Sequence, residues 1–248
     1  MDGVVLAAGE GTRMRPLTAD RPKGLVTVAG RRLLSHCFDT LLSVGIERLV
    51  VVVGYRGDDI VDYYGDAYEG TPIEYVRQDE RLGLAHALRQ ALPAVEGTFV
   101  AMNGDNVCRA DLAAVLDRHR ETDAAATLLV ERVSRAQAKE TGVVETGPDG
   151  RVTGLVEKPD DPPSTLVSRG FYVFGPAIDP ACRLVTPSAR GEYELPAAID
   201  LLCTAGHRVE AVELDGWCHN VNEPADRTHV EGRLTDRHNS EEGTVGSG

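Results

Sequence analysis

The sequence predicts an α/β fold: a Rossmann-like, doubly wound, mostly parallel sheet with a mixed-sheet lobe added to it. Two observations predict this fold. Short apolar runs alternate with amphipathic helical segments through residues 1–120, at the spacing of βαβ units. From about residue 121, four predicted strands follow one another with few helices between them. We therefore expect a single domain over residues 1–235, and a disordered tail over the polar, glycine-containing residues 236–248.

Each predicted element has a local signal. The apolar run at residues 4–6 ends in a glycine-rich turn, which is typical of a buried first strand. Apolar residues recur at helical spacing over residues 33–44, and Gly45 ends that helix. Residues 49–53 are continuously apolar and mostly β-branched, as in a central strand that is buried on both faces. Further strands are predicted over residues 73–76, 98–102, 124–133, 142–145, 151–157, 166–174 and 208–214, and further helices near residues 58–64, 83–92, 111–120, 195–205 and 225–234.

Composition excludes several classes of protein. The 248 residues carry a formal net charge of −13 and are 42% hydrophobic, so the chain can bury a core. An acidic chain lacks the basic face that nucleic acid or an anionic membrane would bind. No apolar run approaches the roughly 20 residues of a membrane span, and residues 1–8 lack the basic start of a signal peptide. We expect a cytoplasmic protein with no nucleic-acid or membrane partner.

The cysteines and lysines carry two further expectations. Five cysteines are scattered without a C-x-x-C pair, so we expect free, mostly buried thiols and neither a zinc site nor a disulfide framework. Three residues are lysines, and the other 23 of the 26 basic residues are arginines. This arginine-rich, acidic composition is typical of proteins adapted to high salt, where screening relieves the repulsion among the acidic residues.

A glycine-rich loop follows the first strand, with the sequence L-A-A-G-E-G-T-R-M-R-P-L-T from Leu6 to Thr18. Gly9 and Gly11 would allow backbone N–H groups to approach an anion closely. Arg13, Lys23 and two further arginines place four cations within eleven residues of an otherwise acidic chain. The loop fits neither the dinucleotide fingerprint nor the Walker A pattern. These residues by themselves leave open whether the loop binds phosphate or is a structural turn.

The whole string is more specific. Together with R-P-K-G-L-V-T-V-A-G-R-R-L-L, it resembles the signature of the sugar-phosphate nucleotidylyltransferases, including the glucose-1-phosphate thymidylyl- and uridylyltransferases. The resemblance continues at intervals to Pro224. It implies the fold of the nucleotide-diphospho-sugar transferases, in which residues 1–120 bind an NTP and residues 121–235 bind a sugar 1-phosphate. It also implies that Arg13 and Lys23 hold the triphosphate, while Ala8, Gly9, Gly11 and Thr12 form the loop around it.

The same resemblance assigns the remaining site. Gln78 and Gly83 would read the nucleobase, favouring thymine or uracil. Gly142 would admit the sugar, Glu157 would bind its hydroxyl groups, and Lys158 would hold its phosphate. Arg13, Lys23 and Lys158 would together neutralise the charge that develops during the reaction.

A divalent metal is also implied. Asp105 ends a predicted buried strand and would hold Mg²⁺. The family usually has an aspartate in the stretch W…D-V-x-x-P, and this chain has Asn220 at that position. A neutral carbonyl oxygen binds a hard dication less tightly than a carboxylate, so the metal could shift toward Mn²⁺ or activity could fall.

Three alternatives stay open at this point. A cytidylyltransferase that acts on a phosphorylated alcohol could share the loop, although the E-K-P string favours a sugar substrate. A nucleotide-sugar glycosyltransferase usually needs a D-x-D metal motif, which Gly104-Asp105-Asn106 is not. A non-catalytic homologue that senses the same ligands is suggested only by Asn220. The sequence leaves the exact base, the sugar and homo-oligomer formation undetermined.

Overall fold

The computed structural model describes the backbone of residues 1–242 and the side chains of residues 1–235. The last helix continues to Glu242, seven residues into the segment predicted to be a disordered tail. The rest of that predicted tail, residues 243–248, lies outside the described residues.

Fourteen strands and eight α-helices make up this described part of the chain. The strands are β1 Asp2–Ala7, β2 Thr27–Val28, β3 Arg31–Arg32, β4 Arg48–Val53, β5 Ala67–Tyr68, β6 Thr71–Arg77, β7 Phe99–Asn103, β8 Asn106–Ala110, β9 Ala126–Arg132, β10 Gly142–Thr146, β11 Val152–Glu157, β12 Leu166–Phe174, β13 Val209–Glu213 and β14 Gly216–Asn220. The helices are α1 Leu33–Ser43, α2 Gly57–Tyr64, α3 Leu84–Ala91, α4 Ala113–Thr122, α5 Arg135–Ala138, α6 Ile178–Leu184, α7 Leu195–Thr204 and α8 Pro224–Glu242. No helix in the described range is both long and apolar enough to cross a membrane.

The first half of the chain forms the parallel part of the main sheet. Strand β1 lies between β4 and β7 and is parallel to both, and β6 extends the sheet beyond β4. All four strands therefore end at the same edge, where a parallel α/β sheet binds its ligands. The predicted βαβ alternation is confirmed.

The second half forms the mixed lobe. Strand β12 runs antiparallel to β7 and joins the lobe to the parallel strands, while β9 and β10 pair with β12. Strand β11 closes one edge, antiparallel to β10, and β13 pairs with β9 in parallel. The predicted addition of mixed strands to a parallel sheet is confirmed.

Both faces of the sheet are covered, as the continuous apolar strands predict. Val4 and Leu6 of β1 pack in a core with helices α3, α6 and α7, whereas Val5 packs in a second core with α1 and α4. Side chains alternate between the two faces of a strand, so neighbouring residues of β1 reach opposite cores. A strand that is buried on both sides must be apolar at every position.

The sequence analysis missed a two-stranded sheet, and this sheet corrects the expectation for two of the cysteines. Strands β8 and β14 pair antiparallel, and their partners in register include Cys108 and Cys218. These two cysteines form a disulfide, with Cα atoms 4.0 Å apart. The expectation of five free thiols is therefore wrong for this pair. Local patterns cannot reveal the bond because 110 residues separate the two cysteines.

The disulfide predicts how many thiols react with and without reductant. Protein that is purified without reductant and then denatured should present three reactive thiols, those of Cys37, Cys182 and Cys203. After reduction, all five cysteines should react. The Cys218→Ser variant is the control, because its four remaining thiols should react with or without reductant. Five reactive thiols in unreduced wild-type protein would contradict the bond.

Candidate active site

A cleft of about 420 Å³ opens at the carboxyl ends of β1 and β7. Its walls come from the glycine-rich loop after β1, the segment that leads into α3, the loop after β7, and three residues from the second half of the sequence, Lys158, Glu192 and Asn222. Ten of the thirteen predicted site residues line it: Ala8, Gly9, Gly11, Thr12, Arg13, Lys23, Gln78, Gly83, Asp105 and Lys158. The fold therefore brings together residues that lie 150 positions apart in the sequence.

The glycine-rich loop has the backbone that its composition predicts. Gly11 has φ +66°, in the left-handed region, and precedes a single 3₁₀ turn over residues 12–14. A Cβ atom on Gly11 would lie 2.9 Å from the Cβ of Lys23, so glycine allows the lysine side chain to pass alongside. Thr18 Oγ donates to the Gly11 carbonyl at 2.8 Å and closes the loop. Nothing lies within 4 Å of the corresponding position on Gly9, which leaves this side of the loop open.

Lys23 lies between two oxygen atoms at the floor of the cleft. Its Nζ donates to Asp105 Oδ2 at 2.7 Å and to Asn222 Oδ1 at 2.8 Å. Asn222 also lines the cleft, and the sequence analysis missed it. A carboxylate and an amide oxygen are thus positioned to share one cation.

Asn220 contributes a different atom to this region. Its Nδ2 donates to Asp105 Oδ1 at 3.2 Å, so an amide nitrogen rather than an oxygen faces the carboxylate. Asn220 is not among the residues that line the cleft. Asn220 is the last residue of β14. The chain leaves the strand after it, and Asn222, two residues later, lines the cleft in its place.

The residues predicted to bind the sugar 1-phosphate, Gly142, Glu157 and Lys158, lie close together beside the cleft. Lys158 has φ +46°, an uncommon backbone conformation for a lysine, and its N–H donates to Thr141 O at 3.0 Å. Its Nζ lies 3.8 Å from Glu157 Oε1, and Arg190, which the sequence analysis missed, lies 3.6 Å from the same oxygen. A Cβ on Gly142 would lie 3.3 Å from Glu157 Oε2, so this glycine keeps the space beside the carboxylate open.

Burial governs the electrostatics of this group. It raises the pKa of Glu157, and the cations Lys158 and Arg190 oppose that rise. Arg190 also binds Glu194 Oε1 at 2.8 Å, and this hydrogen bond raises the pKa of the guanidinium. Two cations and two carboxylates can therefore hold both a phosphate and the hydroxyl groups of a sugar.

An ion bridge joins two walls of the cleft. Glu10, in the glycine-rich loop, accepts hydrogen bonds from Arg15 at 3.0 Å and from Arg81 at 2.5 Å. Arg81 lies in the segment before α3 and lines the cleft together with Glu10. The bridge holds the loop predicted to bind phosphate against the segment predicted to bind the base.

Known proteins match this chain along most of its length. The sequence model described as nucleotidyl transferase matches residues 2–219. The chain belongs to the nucleotidyl transferase family. The resemblance stated from the sequence is thereby confirmed, as is the predicted enzyme class, a nucleotidyltransferase of the kind that forms nucleotide sugars.

Two relatives are similar in sequence to this chain over more than 90% of its length. The UTP–glucose-1-phosphate uridylyltransferase AglF of Haloferax volcanii is 50% identical over 234 residues, which cover 94% of this chain and 96% of that protein. A glucose-1-phosphate thymidylyltransferase of Streptomyces griseus is 36% identical over 235 residues, and the match spans 93% of this chain and 65% of that protein.

Solved structures confirm the fold. A crystal structure of UDP-glucose pyrophosphorylase complexed with UDP-glucose superimposes with a TM-score of 0.86 over 95% of this chain and 98% of that chain. The sequence identity is 22%, so this likeness concerns the fold alone.

Proposed function

We propose that this nucleotidyltransferase joins UTP or dTTP to a sugar 1-phosphate, with glucose 1-phosphate as the first candidate, and releases pyrophosphate. One observation carries the proposal. A single continuous cleft contains the glycine-rich loop, Gln78, which is predicted to read the base, and the cations Lys23 and Lys158. A 50% identical relative that bears the name of a uridylyltransferase supports the choice of UTP.

The chemistry requires charge neutralisation rather than a general base. A phosphate oxygen of the sugar 1-phosphate attacks the α-phosphorus of the NTP, and the bond between the α-phosphorus and the bridging oxygen of the β-phosphate breaks. The nucleophile is already an anion near neutral pH. Arg13 and Lys23 hold the triphosphate on one side, while Lys158 and Arg190 hold the sugar phosphate on the other. Together they bring two polyanions into line and stabilise the charge that develops.

The residues present also fit a divalent metal. Asp105 Oδ2 and Asn222 Oδ1 already share the ammonium of Lys23, at 2.7 and 2.8 Å, so they are spaced to share a cation. Mg²⁺ prefers oxygen ligands and is commonly held by one or two protein groups together with substrate phosphates. When bound, Mg²⁺ or Mn²⁺ would neutralise phosphate charge. Asp105 and Asn222 would hold the ion, and Asn220 would orient Asp105.

Variants of the two asparagines distinguish their roles. Asn222→Ala removes an oxygen ligand and is expected to raise the Mg²⁺ concentration for half-maximal activity by roughly tenfold or more. Asn220→Asp is expected to lower it, because a second carboxylate would then adjoin Asp105. Titration of Mn²⁺ by electron paramagnetic resonance measures the same affinity without turnover. An unchanged half-saturation in Asn222→Ala would show that this oxygen does not bind the ion.

The defining experiment is pyrophosphate release from glucose 1-phosphate with dTTP, UTP, CTP, ATP or GTP. Each nucleotide is tested with Mg²⁺ and with Mn²⁺. Release with UTP or dTTP supports the proposal, and other sugar 1-phosphates can then be compared. Intact nucleotide binding without release from any pair would favour a homologue that senses these ligands. Release with CTP and a phosphorylated alcohol would favour the cytidylyltransferase alternative.

The composition supports a further part of the proposal, adaptation to high salt. The chain has a net charge of −13, and screening in concentrated salt reduces the repulsion among its acidic groups. We expect both the melting temperature and the turnover rate to be higher in molar KCl than in dilute buffer. Equal values in the two conditions would contradict salt adaptation.

A further inference from the structure

The orientation of the Gln78 side chain is determined by the groups behind it. Gln78 is 4% exposed, and its Nε2 donates to Gly83 O at 3.1 Å and to His86 Nδ1 at 2.9 Å. A backbone carbonyl accepts hydrogen bonds but cannot donate them, so nitrogen must be the amide atom that faces Gly83. Both amide hydrogens are then used, and the carbonyl oxygen of Gln78 accepts no hydrogen bond from the described residues.

His86 completes this arrangement from outside the cleft. It is half-buried on α3 and is not among the residues that line the cleft. Because its Nδ1 accepts from Gln78, the proton of the neutral ring must be on Nε2. Gln90 packs beside the ring, where its Nε2 lies 3.3 Å from His86 Nε2 and donates to His86 O at 3.4 Å. Burial lowers the pKa of His86, which keeps Nδ1 free to accept at neutral pH.

The other acceptor is held in place by a neighbouring loop. Tyr193 N donates to Leu82 O at 2.6 Å, and Ala85 N donates to Tyr193 O at 2.9 Å, so the backbone on both sides of Gly83 is fixed. Gly83 has φ +100°, and a Cβ there would lie 2.6 Å from Tyr193 O. The Gly83 carbonyl therefore has little freedom to move, and the Gln78 amide cannot turn without losing a partner on each side.

We propose that His86 is a positioning residue for base selection: it holds the Gln78 amide so that the carbonyl oxygen of Gln78 accepts the ring N–H of a uracil or thymine base. This inference rests on the proposed function. Uracil and thymine carry a hydrogen on N3, whereas N3 of cytosine is an acceptor. In this orientation cytosine would place two acceptors against each other, and a site built to accept a hydrogen bond rejects a base that cannot donate one.

Binding measurements test the assignment without requiring turnover. Calorimetric titration of the wild-type protein should show that UTP binds roughly 100-fold more tightly than CTP. His86→Leu removes one of the two acceptors that hold the Gln78 amide and is expected to reduce this ratio by about tenfold, because Gly83 O alone holds the amide less firmly. His86→Asn places an amide oxygen close to the position of Nδ1 and is expected to keep the ratio near the wild-type value.

A second histidine provides the matched control. His119 on α4 is buried, and its Nδ1 lies 3.1 Å from Thr127 Oγ1, away from the cleft. His119→Leu should leave the UTP-to-CTP ratio unchanged even if it lowers stability. An unchanged ratio in a folded His86→Leu protein would overturn the inference. If wild-type protein bound no nucleotide at all, the proposed function itself would fail, which is a different result.

Discussion

The Lys23→Met variant is expected to lose roughly 10²–10³-fold in kcat/KM and to bind Mn²⁺ more tightly than the wild-type protein. Both effects follow from the position of the ammonium group. Lys23 Nζ lies between Asp105 Oδ2 and Asn222 Oδ1, where it would compete with a metal cation. In the proposed reaction, its charge is needed on the phosphates. Methionine has a similar length and no charge, so it would remove the competing cation and the proposed catalytic group together.

In Lys23→Met, activity must fall while the affinity for Mn²⁺ rises, so both kcat/KM and the dissociation constant of Mn²⁺ are expected to decrease. Steady-state kinetics of pyrophosphate release gives kcat/KM, and electron paramagnetic resonance gives the dissociation constant of Mn²⁺. Lys139→Met is the matched control, because Lys139 lies in the loop after α5, outside the cleft, and its replacement should change neither value. A Lys23→Met protein that lost activity and also lost Mn²⁺ binding would show that the lysine organises the site rather than serving the phosphates.

Phe171→Ala is expected to lower the free energy of unfolding by about 3–5 kcal/mol. Phe171 is fully buried on β12, opposite Met102 of β7, at the junction between the parallel strands and the mixed lobe. Removing the ring leaves a cavity where the two parts of the sheet meet. If residues 1–235 form one domain, as the sequence predicts, the variant should still unfold in a single transition.

Chemical denaturation that is followed by circular dichroism and by fluorescence tests this expectation. Leu184→Ala is the control, since Leu184 is 70% exposed and its loss should change the free energy of unfolding by less than about 0.5 kcal/mol. Two separate transitions in Phe171→Ala would indicate that the parallel strands and the mixed lobe unfold independently.

Particular elements show why the prediction of the fold succeeded. The apolar run of β4 and the helical periodicity of α1 are local signals, and they identify a buried strand and an amphipathic helix wherever the segments pack. Helix α6 and the strands β8 and β14 were missed because their sequences lack a distinct period. Their conformation depends on the partners that the rest of the fold provides.

Some residues of the candidate site were likewise predicted from the sequence, and others were missed. The glycine-rich loop and Lys158 were found because their strings are long or their residue types are rare in this chain. Asn222 and Arg190 were missed because asparagine and arginine are common surface residues, and only their neighbours give them a role. The one signal for Asn222 was its place two residues after Asn220, in the segment that leads into α8.

The sequence by itself determined the fold class, the family and ten of the 21 residues that line the cleft, because hydrophobic periodicity and a long contiguous motif are local properties. Tertiary structure alone decided which oxygens share a cation with Asp105, which cysteines are bonded, and which way the Gln78 amide faces. Each of these depends on atoms that are distant in the chain or on a choice between the two ends of one side chain. Hydrogen-bond geometry and strand pairing make that choice, and neither exists until the chain has folded.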